Sequence, residues 1–226
     1  MLRLWGRATS MNVQKAIWTL DEIGLAYERI DAGGRFGGLD KPAYRDLNPH
    51  QRIPTLEDEG VVVWESNAVV RYLAARYSEG VLWDRDPGKR AGADQWMDWM
   101  QTTLAPDFYA LFWAVVRTPP AKQDRQQIKT LSEKVAEHYR LLDRQLEGKR
   151  FLASDELSLA DIPIGATLWR YHQMEIASAP RRLVRAPRRA PRLSQLGHDL
   201  LRGAAGALRT GIDAGGGKPY ARRPLS

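Results

Sequence analysis

Two short stretches hold residues whose types and order can do chemistry. In Arg52-Ile53-Pro54-Thr55-Leu56 a proline enters an apolar run, and in Val61-Val62-Val63-Trp64-Glu65-Ser66 an acid and a hydroxyl stand where another apolar run ends. A proline between Ile53 and Thr55 makes Ile53 extended and deletes one ladder donor. If the Ile53–Pro54 bond is cis, the main chain of Ile53 turns outward. Its N–H and C=O are then left to a ligand lying alongside as an extra strand. At Glu65-Ser66 the chain enters a helix, whose free N–H groups and dipole attract a carboxylate. The Ser66 hydroxyl adds a hydrogen bond, and Glu65 is placed to pair with an ammonium. The two sites together ask for an extended peptide with a free amino-acid end. The alternative use of Glu65-Ser66 is an ordinary helix cap.

The chain has no cysteine among its 226 residues, which removes disulfides, thiolate metal sites and a thiol nucleophile of its own. Sulfur chemistry must arrive with a ligand. His50, His138, His172 and His198 lie far apart with no HExxH-like spacing, so no metal is expected. The net charge of +7 invites a nucleic-acid partner, but residues 177–226 hold ten Arg and one Lys against Asp199 and Asp213. The basic character is confined to that tail, and no nucleic-acid partner is expected of the rest. No apolar run approaches the roughly 18 residues of a membrane span, and MLRLWGRATSMN lacks a signal-peptide core. A cytoplasmic location with no membrane partner is the expectation.

Positioning the two stretches needs a scaffold, and the sequence patterns outline one. LRLW reads as a strand and GRATSMN as a polar loop; Val13, Ile17, Leu20 and Ile23 then keep helical spacing up to Gly24, a C-cap. AYERID alternates as a strand, GGRFGGLDKP is a loop leading to a helical turn from Tyr44 to Leu47, and IPTL and VVVW form a hairpin across the acidic tip EDEG. Ser66 begins the helix NAVVRYLAARY. This order makes residues 1–80 a compact α/β unit, with residues 81–90 as a linker.

Beyond the linker the hydrophobic period becomes 3.6. Ala91 to Arg117 carries Trp96, Trp99, Met100, Phe108 and Phe112 and is interrupted at Pro106, and Ile128 to Leu146 repeats the pattern with Leu131, Val135, Tyr139 and Leu142. FLASDELSLADIPIGATLWRYHQM opens on a strand-like apolar start and continues into a capping signature. Ser158 is the N-cap, Asp161 follows three residues later, Leu157 can staple against Ile162, and Pro163 falls within or just past the first turn. Residues 91–176 are therefore expected to form an all-α second domain. An aromatic stripe at helical spacing serves first as core.

A peptide with an extended backbone and a free amino-acid end, supplying the sulfur this chain lacks, is glutathione. The segments NPHQRIPTL, ESNAVVRYLA, SLADI and WMDWMQTTLAPDFYALFW, occurring in one chain, resemble the cytosolic glutathione transferases, most of all the serine-type bacterial and theta-like members, over about residues 1–174. The resemblance implies a thioredoxin-like N-terminal domain followed by an all-α C-terminal domain, a homodimer, and conjugation of the glutathione thiol to hydrophobic electrophiles, a detoxification chemistry. It also implies a hydroxyl at the start of the first helix that hydrogen-bonds the thiolate. That position falls on Ser10, with Thr9 and Asn12 within one turn as alternatives. A thiol with a pKa of about 8.5 to 9 is mostly protonated at neutral pH, and one donor plus a helix N-terminus lowers it by about a unit or two. Serving as a plain N-cap is the other use of Ser10.

On this resemblance glutathione would be held by Gln51, Arg52, Ile53, Pro54, Glu65 and Ser66. Arg52 matches the basic position that meets the glycyl carboxylate, and His50 lies close by. The electrophile pocket would lie between the domains, with Met11, Tyr109, Trp113, Arg117 and Trp169 as candidates. Two other uses of the same architecture stand beside the transferase: a non-catalytic glutathione-fold binding or interaction protein, and a glutathione-dependent peroxidase or dehalogenase. Residues 177–226 break in composition from everything before them. Rich in Arg, Ala, Gly and Pro and holding a single Tyr, they read as disordered or as the product of a shifted reading frame.

Overall fold

The computed structural model describes residues 1–174; the tail read above as disordered or frame-shifted lies outside the described residues. The N-terminal part runs β1 (Leu2–Trp5), α1 (Met11–Ile23), β2 (Tyr27–Ile30), α2 (Pro42–Leu47), β3 (Thr55–Asp58), β4 (Val61–Trp64) and α3 (Ser66–Tyr77). A short 3-10 turn, Gly34–Phe36, lies in the glycine-rich loop. The strands form one mixed sheet in the order β2-β1-β3-β4. β1 pairs parallel with β2, and antiparallel with β3 so that Leu4 faces Leu56. β3 and β4 are the expected hairpin. Gly24 ends α1 with φ 75°, a left-handed conformation that favours glycine.

Two apolar clusters meet at α1. Val13, Ala16, Ile17 and Leu20 pack with Leu4, Leu56, Val69 and Leu73. Met11 and Trp18 instead join Val70 and Ala74 in the larger cluster, with Met97, Met100, Phe108, Tyr139, Ile162 and Tyr171 from the helical part. The two halves therefore share buried surface. Polar contacts add to it: Arg71 on α3 donates to Asp94 at 2.6 Å and Asp98 at 2.7 Å, and Asn67 donates to the Met97 carbonyl at 3.2 Å.

The helical part comprises α4 (Pro87–Trp99), α5 (Ala105–Phe112), α6 (Arg125–Gln145) and α7 (Asp161–Gln173). Three features differ from the sequence expectation. α4 begins at Pro87, inside the segment read as linker, because the Asp86 carboxylate accepts from the Gly88 and Lys89 N–H groups and caps it. Pro106 does not interrupt the helical run. A π-helical turn, Met100–Leu104, precedes it and continues directly into α5. The wider ladder takes up the bond that proline cannot make. Finally, residues 151–156 form bends and no strand; Leu152 is buried in the larger cluster, and its N–H donates to Asp161 in place of a sheet partner.

The capping signature forms in part: Asp161 reaches back to Ser158, but α7 begins at Asp161 with Ala160, and not Ser158, as its N-cap, and no side chain caps it. The Asp161 carboxylate accepts from the Ser158 N–H at 2.9 Å and from its hydroxyl at 2.8 Å. Pro163 sits in the first turn, and Ile162 is buried with Leu157 packed on the same cluster.

Candidate functional site

The loop after β1 delivers the first group of candidates. Gly6, with φ 145°, brings the backbone so close that an added Cβ would lie 2.5 Å from Val13 Cγ2 and 3.2 Å from Ile53 Cβ. Glycine is required there, and its approach sets Ile53 beside the loop that leads to Ser10. Ser10 is the N-cap residue of α1 by backbone geometry, yet its side chain makes no capping bond. Its hydroxyl is thus unspent at the positive end of a 13-residue helix whose first turn holds no acid. Thr9 is exposed, and its carbonyl accepts from Arg170 Nη2 at 2.8 Å. Asn12 accepts from the Tyr109 hydroxyl at 3.2 Å, tying α1 to α5.

Opposite this loop, the Ile53–Pro54 bond is cis. A network holds the approach to it: the Tyr44 hydroxyl and Asn48 Nδ2 both donate to the Arg52 carbonyl, and Asn48 Nδ2 also reaches Thr55. Among the described residues, neither the N–H nor the C=O of Ile53 is engaged in a backbone hydrogen bond. Pro54 is buried, while His50, Gln51 and the Arg52 side chain are exposed. Gln51 holds φ 53° and Glu65 holds φ 66°, conformations that cost a non-glycine residue about 1–3 kcal/mol. Glu65 opens α3, and no side chain caps that helix. Ser66 is 5% exposed, its hydroxyl directed at Lys15.

Lys15 was not among the residues picked out from sequence. It is fully buried on α1, and its ammonium donates to Ser66 Oγ and Asn67 Oδ1, both at 3.3 Å. Burial lowers its pKa to about 8, with the charge of Glu65 opposing the shift. The signal was its place, four residues after Met11 and four before Thr19, both of them buried. Lys15 is the strut between the helix that carries Ser10 and the turn that carries Glu65 and Ser66.

Two blocks of the chain match known family domains. Residues 1–75 match "Glutathione S-transferase, N-terminal domain" and residues 93–187 match "Glutathione S-transferase, C-terminal domain". Glutathione S-transferase GstB of Escherichia coli K12 is 37% identical over 183 residues, spanning 80% of this chain and 88% of the relative. The chain belongs to the glutathione S-transferase family. Among solved structures, the theta class enzyme of Xanthomonas axonopodis pv. citri with glutathione bound is 39% identical, with TM-score 0.75 over 94% of this chain and 98% of that one. A delta-class transferase from Nilaparvata lugens is 25% identical with TM-score 0.78, over 90% of this chain and 96% of that one. The thioredoxin-like domain followed by an all-helical domain is the architecture of this glutathione S-transferase.

Of the residues assigned to the electrophile pocket, the structure distributes five differently. Tyr109 is half-buried and joined to Asn12; burial pushes its phenol pKa up, against the Asn12 hydrogen bond, and the charges of Glu65 and Arg52 both reach it. Met11, the first residue of α1, is 8% exposed and packs in the larger cluster with residues of the helical part. Trp113 is 63% exposed, and its indole makes no hydrogen bond or ring contact among the described residues. Arg117 is exposed and rests on the Phe112 ring, 5.7 Å from its centroid. Trp169 is half-buried beneath the Arg170 guanidinium, 5.2 Å away.

Proposed function

We propose that this glutathione S-transferase joins the thiolate of glutathione to hydrophobic electrophiles, with Ser10 donating its hydroxyl to the sulfur. The observation that carries this reading is an uncapped hydroxyl at the N-terminus of α1, set beside a main-chain segment at Ile53 whose polar groups are unengaged. Glutathione lies along Ile53 as an added strand. Its glutamyl carboxylate meets the Ser66 hydroxyl and the first N–H groups of α3, and its ammonium pairs with Glu65. Arg52 takes the glycyl carboxylate, with Gln51 beside it. A relative at 39% identity with glutathione bound supports this placement. The Ser10 hydrogen bond and the helix dipole favour the thiolate, whose sulfur attacks the electrophilic carbon. A sulfur–carbon bond forms, the leaving group departs with its electron pair, and the thiol proton passes to solvent.

Residues 1–80 then serve as the glutathione-binding domain and 91–176 as the domain that offers the electrophile. The protein works as a cytoplasmic homodimer in detoxification. Support for self-association comes from the edge strand β4, where Val61, Val62 and Trp64 are each about two-fifths exposed. Among the described residues no helix is long and apolar enough to cross a membrane.

Isothermal titration with glutathione and turnover of a neutral chloronitrobenzene test the reading together. Heat of association is expected at or below millimolar glutathione, and Ser10→Ala should cost about 100-fold in kcat with binding retained. No heat at millimolar glutathione, or full turnover by Ser10→Ala, would refute the assignment.

A further inference from the structure

The backbone that leads into Ser10 is held at each of four consecutive carbonyls. That of Arg7 accepts from the Ser10 N–H at 3.1 Å, and that of Ser10 from the Gln14 N–H at 2.9 Å. Ala8 accepts from Gln14 Nε2 at 3.0 Å, and Thr9 from Arg170 Nη2 at 2.8 Å. Three of these donors belong to the loop and to α1 themselves. The fourth lies on α7, 161 residues beyond Thr9 in the chain, and so in the helical domain.

Arg170 reaches that carbonyl because α7 packs directly on α1. A Cβ added at Gly165 would stand 2.7 Å from Trp18 Cζ3, so the two helices touch there, and from that point α7 runs back toward the start of α1. Arg170 arrives at Thr9 with its guanidinium 5.2 Å from the centroid of the Trp169 ring. Its second contact is Gln14 Oε1 at 3.4 Å. A guanidinium only donates, so it turns the Gln14 amide oxygen toward itself and leaves the amide nitrogen for Ala8. One side chain therefore holds two consecutive carbonyls, Thr9 directly and Ala8 through Gln14.

These contacts fix the peptide plane before Ser10. Thr9 C=O and Ser10 N–H are opposite edges of one rigid unit. Arg170 holds the first and the Arg7 carbonyl holds the second, so the plane cannot rock about the bonds that flank it. The Ser10 side chain makes no capping bond of its own, and its direction is set by the backbone it leaves.

We propose that Arg170 is a positioning residue for the transferase reaction: by pinning the Thr9–Ser10 peptide it keeps the Ser10 hydroxyl directed at the glutathione sulfur. The action of the serine then depends on the docking of the helical domain. The proposal rests on the serine reading above and adds a residue that acts through it. Hydrogen bonds to a reacting atom are sensitive to placement, and a shift of about 1 Å costs up to about 100-fold in rate.

The test compares Arg170→Met, Ser10→Ala and the double variant in the full chain, with a neutral chloronitrobenzene as electrophile. Arg170→Met keeps the stem against Trp169 and loses the donor. It should lower kcat about tenfold and leave KM for glutathione within about twofold of wild type, because Arg52, Glu65 and Ser66 are untouched. At saturating glutathione the pH profile of kcat/KM for the electrophile should move up by about one unit as the thiolate loses its donor. The ultraviolet absorbance of the bound thiolate should follow the same shift. The double variant should be no slower than Ser10→Ala alone. Arg170→Lys, which keeps one donor within reach of Thr9, should regain most of kcat. Arg170→Gln is too short to reach Thr9 and serves the same comparison if the methionine variant does not fold. Losses that add in the double variant overturn the proposal, as do a wild-type kcat and pH profile in Arg170→Met, or a raised KM for glutathione with kcat intact. In each of these cases a slow Ser10→Ala leaves the serine reading standing. Full turnover by Ser10→Ala sinks the serine reading and this proposal with it.

Discussion

Replacing Lys15 by methionine removes a charge from the interior while keeping most of the side-chain volume, and the outcome should depend on pH in a calculable way. An ordinary lysine titrates near 10.5, and burial brings Lys15 to about 8. Holding it protonated at pH 7 therefore costs the fold about 3 kcal/mol. Against this, Lys15→Met strips the donor from Ser66 Oγ and Asn67 Oδ1, both now met at 3.3 Å. Each buried acceptor left unpaired costs about 1–3 kcal/mol, so at pH 7 the two effects nearly cancel. They separate as pH rises. Because the folded-state pKa lies below the unfolded one, the unfolded chain binds more protons between about pH 8 and 10.5, and wild-type stability climbs through that window. The methionine variant lacks this gain.

Urea unfolding of both proteins at pH 7, 8.5 and 10 measures the difference directly. The wild type should improve on Lys15→Met by roughly 2–3 kcal/mol between pH 7 and 10. Titrations shared by both proteins cancel in the comparison. A difference that stays constant within about 0.5 kcal/mol across this range would refute the buried-cation argument. The same variant should bind glutathione about tenfold more weakly, as the strut under Glu65 and Ser66 is lost.

Three further substitutions probe other parts of the structure. Ser66→Ala should raise the glutathione Kd by about tenfold in calorimetry while leaving the fold intact, and unchanged affinity would detach the glutamyl end from α3. Gly165→Ala puts a methyl 2.7 Å from Trp18 Cζ3 and 2.8 Å from its Cη2; after the gain in helix propensity it should still destabilise by about 1–2 kcal/mol, and a Tm equal to or above wild type would show that α1 and α7 can part without cost. Asp161→Ala removes the acceptor shared by Leu152 N–H and the Ser158 N–H and hydroxyl. It should cost about 2 kcal/mol or more in guanidinium unfolding, and a loss below about 0.5 kcal/mol would mean the box does not hold the start of α7.

What could be read in advance divides by the range of the physics involved. Gly24 closing α1, the β3–β4 hairpin and the Ser158–Asp161 pair are decided within a few residues, and each formed as its neighbours specify. Pro106 misled because a missing N–H can be absorbed by a π turn, and whether it is depends on what the helix packs against. The apolar start at Phe151 and Leu152 misled because its backbone found a carboxylate and no strand partner.

The amino-acid order alone determined the order of elements from β1 through α3, the missing thiol, and the two turns at Pro54 and Glu65, since these follow from local conformation and composition. Tertiary structure decided the rest of the site. Lys15 is an ordinary helix lysine until α3, 51 residues further on, closes over it. Arg170 is an ordinary helix charge until α1 and α7 pack and bring it onto the Thr9 carbonyl beside Ser10. Burial and long-range hydrogen bonding are properties of packing, and no window of sequence contains the partners that create them.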